Sequence, residues 1–207
     1  GLREVLLPLK NLLCKYKSKA QVLTYLRLER IPVSLIQQIG LQIPEALKSS
    51  LYLTPLRSNS SGRICIPVLI SVDSNLACLA GLWLADGSYD KNSTIFSVIE
   101  YVCNSYVHSI SNAICNTTPK LHSDGLSLMI HSTAFKHFFK HVLCLEGNAY
   151  TKRVPAWVFS LPEKELAFFL RGYISGDGWP RAHDLAVGSC SLGLLEDMQT
   201  LFLRLGI

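Results

Sequence analysis

The sequence predicts an α+β protein in which one helix-and-strand unit occurs twice behind a helical N-terminal segment. Three observations carry that reading. Two apolar, helix-like stretches end in Asp-Gly, at Asp86-Gly87 and Asp177-Gly178, 91 positions apart. Each is followed by a polar turn and a strand-like stretch, and then by a second helix-like stretch. Residues 1 to about 56 instead read as helical. We place the boundaries at 1–62 for the helical segment, 63–153 for the first half and 154–207 for the second.

In the first segment, Ser18 is placed to cap a helix from Lys19 to about Arg30, with Val22, Leu23, Leu26 and Ile31 at apolar spacing. Pro32 punctuates it, and Val33–Ile39 forms a further short helix ending at Gly40. Two short helices around a tight turn are compatible with a helix-turn-helix. The plainer reading is a small helical layer. Residues 57–62 form a polar break. Arg63 to Val72 then reads as extended, with Pro67 marking an edge or a bend, and Asp73 is placed to cap the first motif helix.

After Gly87 the expected order is a strand over Thr94–Val98 and a helix over Glu100–Ile114. A hairpin of Lys120–Ser123 and Leu126–His131 follows around Asp124-Gly125, then a helix over Thr133–Leu145. Ser160 and Glu163 have the spacing of a capping box, with Pro162 in the first turn of the second motif helix. Leu185–Ser189 then reads as strand and Leu192–Leu205 as helix. His137, His141 and Cys144 recur at helical spacing, which an amphipathic helix explains more simply than zinc.

The composition, 49% hydrophobic and 17% charged, excludes a disordered chain. No apolar run reaches the ~18 residues of a spanning helix. Gly1 to Lys10 lack the form of a signal peptide, so a soluble cytoplasmic protein without membrane partners is expected. The net charge of +5 suits nucleic acid without proving it. The seven cysteines are odd in number and contain no CxxC, which argues against a disulfide framework or zinc ribbon.

The motifs themselves are Leu79-Ala80-Gly81-Leu82-Trp83-Leu84-Ala85-Asp86-Gly87 and Leu170-Arg171-Gly172-Tyr173-Ile174-Ser175-Gly176-Asp177-Gly178. Gly81 and Ala85 share one helix face, as do Gly172 and Gly176. Glycine inside a helix costs up to about 1 kcal/mol relative to Ala. Close approach of a second backbone offsets it, so we expect the two motif helices to pair through these four residues. Each Gly after Asp is expected to take the left-handed conformation past a helix end. Paired parallel helices would bring Asp86 and Asp177 together at unfavourable dipole ends. Like charges so close share a proton or bind a cation. A divalent ion with oxygen ligands, Mg²⁺ first or Mn²⁺, fits two aspartates and leaves room for phosphate and water.

These residues resemble the LAGLIDADG, or dodecapeptide, family of homing endonucleases. The first motif matches its consensus except at Trp83 and Leu84, and the second keeps the final Gly-Asp-Gly. Val154 to Gly178, with Pro155, Trp157, Leu161-Pro162 and Phe169, resembles the second block of intein-borne members, and Ile66-Pro67 through Asp73 is similarly intein-like. The resemblance spans about 63–207. It implies two pseudo-symmetric αββαββα repeats and a basic sheet face along DNA. It implies a site-specific double-strand endonuclease acting as a monomer, in which Asp86 and Asp177 bind metal, each centre cutting one strand. We include Gly87 and Gly178 in the metal set. The DNA-facing set is Ser88, Tyr89, Lys91, Asn92, Thr94, Lys120 and His122 in the first half, and Trp179, Arg181 and His183 in the second. For the basic residue that the family places near its active sites, we select Lys120 over Lys136. Only 29 residues follow Gly178, so the second repeat is expected to be incomplete. The chain begins at Gly1 and ends at Ile207 without splicing termini, so a fragment of an intein, with host-protein flanks, or of a longer endonuclease is expected. A non-catalytic DNA-binding regulator and an RNA maturase on the same fold are the alternatives.

Overall fold

The computed structural model describes residues 1–54, 65–97, 100–181 and 183–207. The polar break at 57–62, the boundary at 62–63 and the last position of the Thr94–Val98 strand lie outside the described residues. The chain divides into two units, Gly1–Leu51 and Tyr52–Ile207.

The first unit is a set of short helices: α1 (Leu2–Leu6), α2 (Lys10–Leu13), α3 (Lys19–Leu28), α4 (Val33–Ile39) and α5 (Glu45–Lys48). Ser18 caps α3 as expected. Its Oγ accepts from the Gln21 amide at 3.3 Å while Gln21 Oε1 accepts from the Ser18 amide at 3.1 Å. The helix stops two residues before Arg30, because Glu29 turns into the left-handed region at φ 48°. Leu2, Leu6, Leu13, Val22, Leu26 and Leu35 form the core of this unit. Leu23 is exposed instead of joining the expected stripe.

The second unit opens with β1 (Tyr52–Leu53) paired antiparallel to β2 (Ile66–Pro67). Asp73 caps α6 (Ser74–Asp86), accepting from the Leu76 amide at 2.8 Å. From Leu76 to Ala85 every residue of α6 is buried, which marks it as the central helix. Next come β3 (Gly87–Asp90), β4 (Ser93–Phe96), α7 (Tyr101–Cys115), β5 (Lys120–Leu121) and β6 (Leu128–Ile130). They form a four-stranded antiparallel sheet in the order β3-β4-β6-β5. The hairpin at Asp124-Gly125 forms where expected, with Gly125 at φ 70° and the His122 amide donating to Ser127 O at 2.7 Å.

The helix expected over Thr133–Leu145 is two pieces. α8 (Thr133–His137) runs into a π-helical turn, Phe138–Val142. The extra residue in that turn keeps both Phe135 and Phe139 in the core, stacked with centroids 4.4 Å apart. The expected capping box at Ser160 does not form either. Ser160 ends a 3-10 turn, Ala156–Ser160, and the helix begins three residues later, at Glu163, with Pro162 as its N-cap. That helix is α9 (Glu163–Asp177). β7 (Gly178–Pro180), β8 (Leu185–Val187) and α10 (Leu192–Arg204) complete the unit.

The first elements after α6 and α9 share several features at the same spacing. Gly87 pairs with Phe96 and Gly178 with Val187, both partners 91 positions later. The Ser97 amide donates to Asp86 O at 3.1 Å, and the Gly188 amide donates to Asp177 O at 3.2 Å. α7 and α10 start 91 positions apart. One core serves both stretches, with Trp83, Phe96, Phe169 and Tyr173 fully buried. Among the described residues, no helix is long and apolar enough to cross a membrane.

Candidate functional site at the paired helix ends

α6 and α9 touch backbone to backbone. A Cβ on Gly81 would collide with the Phe169 carbonyl and stand 2.9 Å from the Tyr173 amide nitrogen. A Cβ on Gly172 would collide with the Cys78 carbonyl and stand 2.9 Å from the Leu82 nitrogen. The two contacts are reciprocal, since Cys78 and Phe169, and Leu82 and Tyr173, are also 91 positions apart. One turn on, the Ala85 methyl fills the space beside Gly176, where an added Cβ would be 2.6 Å from it and 3.5 Å from Asp86 Oδ2. These four small residues therefore line the crossing and bring the C-terminal ends of the helices together.

Asp86 and Asp177 are the last residues of their helices. The glycines after them are not left-handed, contrary to the sequence expectation. Gly87 has φ −87°, ψ 152° and Gly178 has φ −103°, ψ 150°, both extended, and each starts a strand. Glycine is required there for space. A Cβ on Gly87 would run into the Trp83 ring, and one on Gly178 would lie 2.5 Å from Ile174 O and 2.7 Å from its Cγ2. The chain turns so sharply from helix to strand that no side chain fits inside the bend.

A pocket of about 590 Å³ opens at these helix ends, lined by Asp86, Asp177, Lys152, Gly176 and Gly178, with Trp179 and Ser189 at its wall. Lys152 is buried at 6% exposure. Its Nζ donates to Trp83 O at 3.2 Å and Ala85 O at 3.0 Å, two carbonyls of the last turn of α6, and sits 4.8 Å over the Trp83 ring. It thus places a cation at the negative end of the α6 dipole. The loop holding it is tied at both sides. Ser191 Oγ donates to Lys152 O at 2.8 Å, and the neighbouring Arg153 binds Asp197 of α10 through Nε at 2.6 Å and Nη2 at 2.7 Å.

The charges in the pocket perturb one another. Burial raises the Asp86 carboxyl above the usual carboxylate range, and Lys152 opposes the shift. Burial also raises Asp177, and repulsion from Asp86 adds to it, against Lys152 and the Tyr173 hydroxyl. Lys152 is pushed down to about 8 by burial, with Asp177 and then Asp86 pulling it back up.

The remaining predicted residues divide into exposed and engaged. Ser88 pairs with Ile95, Ile95 with Met129 and Met129 with Lys120, so Ser88 and Lys120 share one sheet face, where both are exposed. Lys91, Asn92, Trp179, Arg181 and His183 are also exposed. Thr94 is not available to a ligand: it is fully buried, because strand alternation turns it to the core with Phe96. Tyr89 is half-buried, its hydroxyl donating to Leu145 O at 2.7 Å and its ring 4.6 Å from Trp83. His122 lies 3.0 Å from Asp124. Lys120 stands on the sheet's edge strand and does not line the pocket, and Lys136 Nζ donates to the backbone of Asp90 and Lys91. Lys152 is the lysine in the pocket. It lies in a loop whose sequence reads only as a turn around Gly147-Asn148, with no local signal of burial.

Residues 164–207, covering nearly all of α9 and the elements after it, match a family model described as a LAGLIDADG-like domain. An iron–sulfur cluster assembly SufBD family protein of Mycobacterium leprae is 29% identical over 151 residues, 68% of this chain and 17% of that protein. The DNA polymerase II large subunit of Thermococcus kodakarensis is 36% identical over 88 residues, 40% of this chain and 5% of that protein. An uncharacterized protein of Methanocaldococcus jannaschii is 26% identical over 128 residues, 55% and 14% respectively. The chain thus spans at most 17% of the length of these relatives.

Proposed function

We propose that this chain, with a LAGLIDADG-like domain at residues 164–207, is the DNA-cleaving part of a homing endonuclease built from two pseudo-symmetric repeats. One observation carries the reading: two aspartates at the adjoining ends of paired helices face one pocket together with a buried lysine. Two such motifs in one chain support a monomer acting on a long, asymmetric duplex.

The donor set fits a hard divalent ion. Asp86 and Asp177 offer carboxylate oxygens only, and partial burial raises the proton affinity of both, with repulsion from Asp86 adding at Asp177. Two carboxylates are few for a full coordination shell, which suits Mg²⁺ or Mn²⁺, since Mg²⁺ keeps several waters. When bound, such an ion lowers the pKa of a water and neutralises charge on the phosphate. The protein's own groups do the rest. Asp86 and Asp177 orient the water and hold it against the scissile phosphorus. Lys152 uses two of its three N–H donors on Trp83 and Ala85 among the described residues, leaving one for a phosphate oxygen. In hydrolysis the water releases a proton as its oxygen bonds to phosphorus, one P–O ester bond breaks, and the departing oxygen takes up a proton, so none is gained or lost. The exposed Ser88, Lys91, Asn92, Lys120, Trp179, Arg181 and His183 meet phosphates and base edges.

An origin in an intein is supported by the relatives. They include an iron–sulfur cluster assembly protein and a DNA polymerase subunit, two unlike proteins, and in each relative the similar stretch is at most 17% of its chain. A segment shared in that way behaves as an insertion and not as part of the host's own fold.

The test is cleavage-site selection on a randomised duplex library with Mg²⁺, capturing cut ends by adaptor ligation. The expected result is cutting at one long sequence that needs the metal and is lost in Asp86→Asn and in Asp177→Asn. Sequence-specific binding by the unaltered chain without any cutting would replace this reading by a regulator. Selective binding of folded intron RNA would replace it by a maturase.

A further inference from the structure

We infer that the N-terminal unit is a separate double-stranded DNA-docking module in which α3 and its flanks grip phosphates and α4 reads base edges. The inference rests on the reading that duplex DNA is the partner. It starts from the distribution of charge. Residues 1–51 hold eight of the chain's 20 Lys and Arg and three of its 15 Asp and Glu, leaving twelve of each for residues 52–207. The whole excess of +5 therefore belongs to the first unit, while the unit with the paired aspartates is neutral. Affinity for a polyanion is dominated by phosphate neutralisation, so this unit is where such affinity originates.

The basic residues are grouped and uncompensated. Lys10, Lys15, Lys17 and Lys19 fall within ten positions leading into α3, and Arg27 and Arg30 lie at its far end. None of these six forms a salt bridge among the described residues. The acids are engaged elsewhere: Glu45 pairs with Lys48 at 2.5 Å, and Glu29 accepts from the Arg3 amide at 3.4 Å.

The geometry is that of two helices joined by four residues, 29–32, with the left-handed Glu29 making the turn. Val22 and Leu26 of α3 share a core with Leu35 of α4, which fixes the pair to each other. On α4, Ser34, Gln37 and Gln38 stand at i, i+3 and i+4, all exposed. Gln pairs bidentately with adenine, and Ser bonds to several bases. A short helix with Leu35 buried behind and Ser-Gln-Gln in front is the form that enters a major groove, with the preceding helix on the backbone.

The experiment measures binding of labelled duplexes to the full chain by fluorescence anisotropy in EDTA, across a salt series. One duplex is random and one carries the selected cleavage site. Lys15→Gln/Lys19→Gln/Arg30→Gln is expected to weaken both and to lower the log–log salt slope by roughly 0.9 per lost phosphate contact, about 2–3 in all. Gln37→Ala/Gln38→Ala is expected to keep the random-duplex affinity and lower discrimination for the site by roughly tenfold. All five positions are exposed, and helical circular dichroism checks that the unit still folds. An unchanged affinity and slope in the triple variant overturns the inference, even where cleavage is intact. A reduced slope in a chain that never cuts supports the inference and overturns the nuclease reading alone. Failure of the unaltered chain to bind any duplex overturns both.

Discussion

Replacing Gly172 by Ala inserts one methyl group where α6 and α9 meet. The added carbon would collide with the Cys78 carbonyl oxygen and stand 2.8 Å from its carbon and 2.9 Å from the Leu82 nitrogen. Carbon contacts are most favourable at about 3.5–4.0 Å, and the carbonyl oxygen is the tightest of the three, so the helices must part by about 1 Å or more. A gap of that size forfeits about half of each contact along the crossing. Overpacking of this kind costs about 1–3 kcal/mol, occasionally more, and a long rigid interface lies at the upper end. The better helix propensity of Ala returns up to about 1 kcal/mol. The net expectation is a loss of about 2 kcal/mol. With a urea m-value of about 2 kcal/mol/M, the midpoint falls by about 1 M. Tryptophan fluorescence is the assay, because Trp83, Trp157 and Trp179 all lie in the second unit. Gly81→Ala meets the reciprocal contact and is expected to cost a similar amount. The double variant should cost less than the two together, because the first methyl already spreads the helices. A Gly172→Ala protein that melts at the same urea concentration as the unaltered chain would refute backbone-to-backbone packing of the pair.

Asp86→Asn and Asp177→Asn are expected to raise thermal stability at neutral pH while abolishing cleavage. Both folded carboxyls bind protons more tightly than in the unfolded chain, so their stabilisation is present below the ordinary carboxylate range and lost as pH rises through the folded values. A lower Tm in both variants would count against that. Mg²⁺ at a hundredfold excess over its Kd is expected to add about 2.7 kcal/mol to the unaltered chain and nothing to the double Asn variant, read from the same melts. Lys152→Met is expected to slow cleavage by roughly 100-fold. In the unaltered chain, cleavage is expected to decline as pH rises through about 8, where Lys152 loses its proton. Persistence of that limb in the Met variant's residual activity would assign it to another group. Asp197→Asn weakens the bonds from Arg153 and the Val154 amide and is expected to cost about 1–3 kcal/mol. The Asp197 carboxyl is held low chiefly by Arg153, so its contribution should vanish only as pH falls below the ordinary carboxylate range, measured as Tm against pH.

Much of the helical framework was legible because its signals are local. The Ser18 and Asp73 caps, the Asp124-Gly125 hairpin and the apolar run of α6 each depend on a few adjacent residues. The elements that differ are those where neighbours distant in sequence decide. The π-helical turn at Phe138–Val142 answers the packing of Phe139 on Phe96 and Phe135. The start of α9 is delayed by a 3-10 turn that buries Val158. Thr94 looks like a surface residue among polar neighbours, yet strand register turns it inward.

By itself, the sequence determined that two equivalent helices end in Asp-Gly and that small residues line one face of each. Glycine spacing carries that information because no larger side chain permits so close an approach. Tertiary structure alone decided what completes the pocket. Lys152 is 66 positions from Asp86, and only the docking of its loop on Trp83, Ala85 and Ser191 brings them together. The conformation of Gly87 and Gly178 was decided there as well: the fold needed room inside a helix-to-strand bend, not a left-handed backbone.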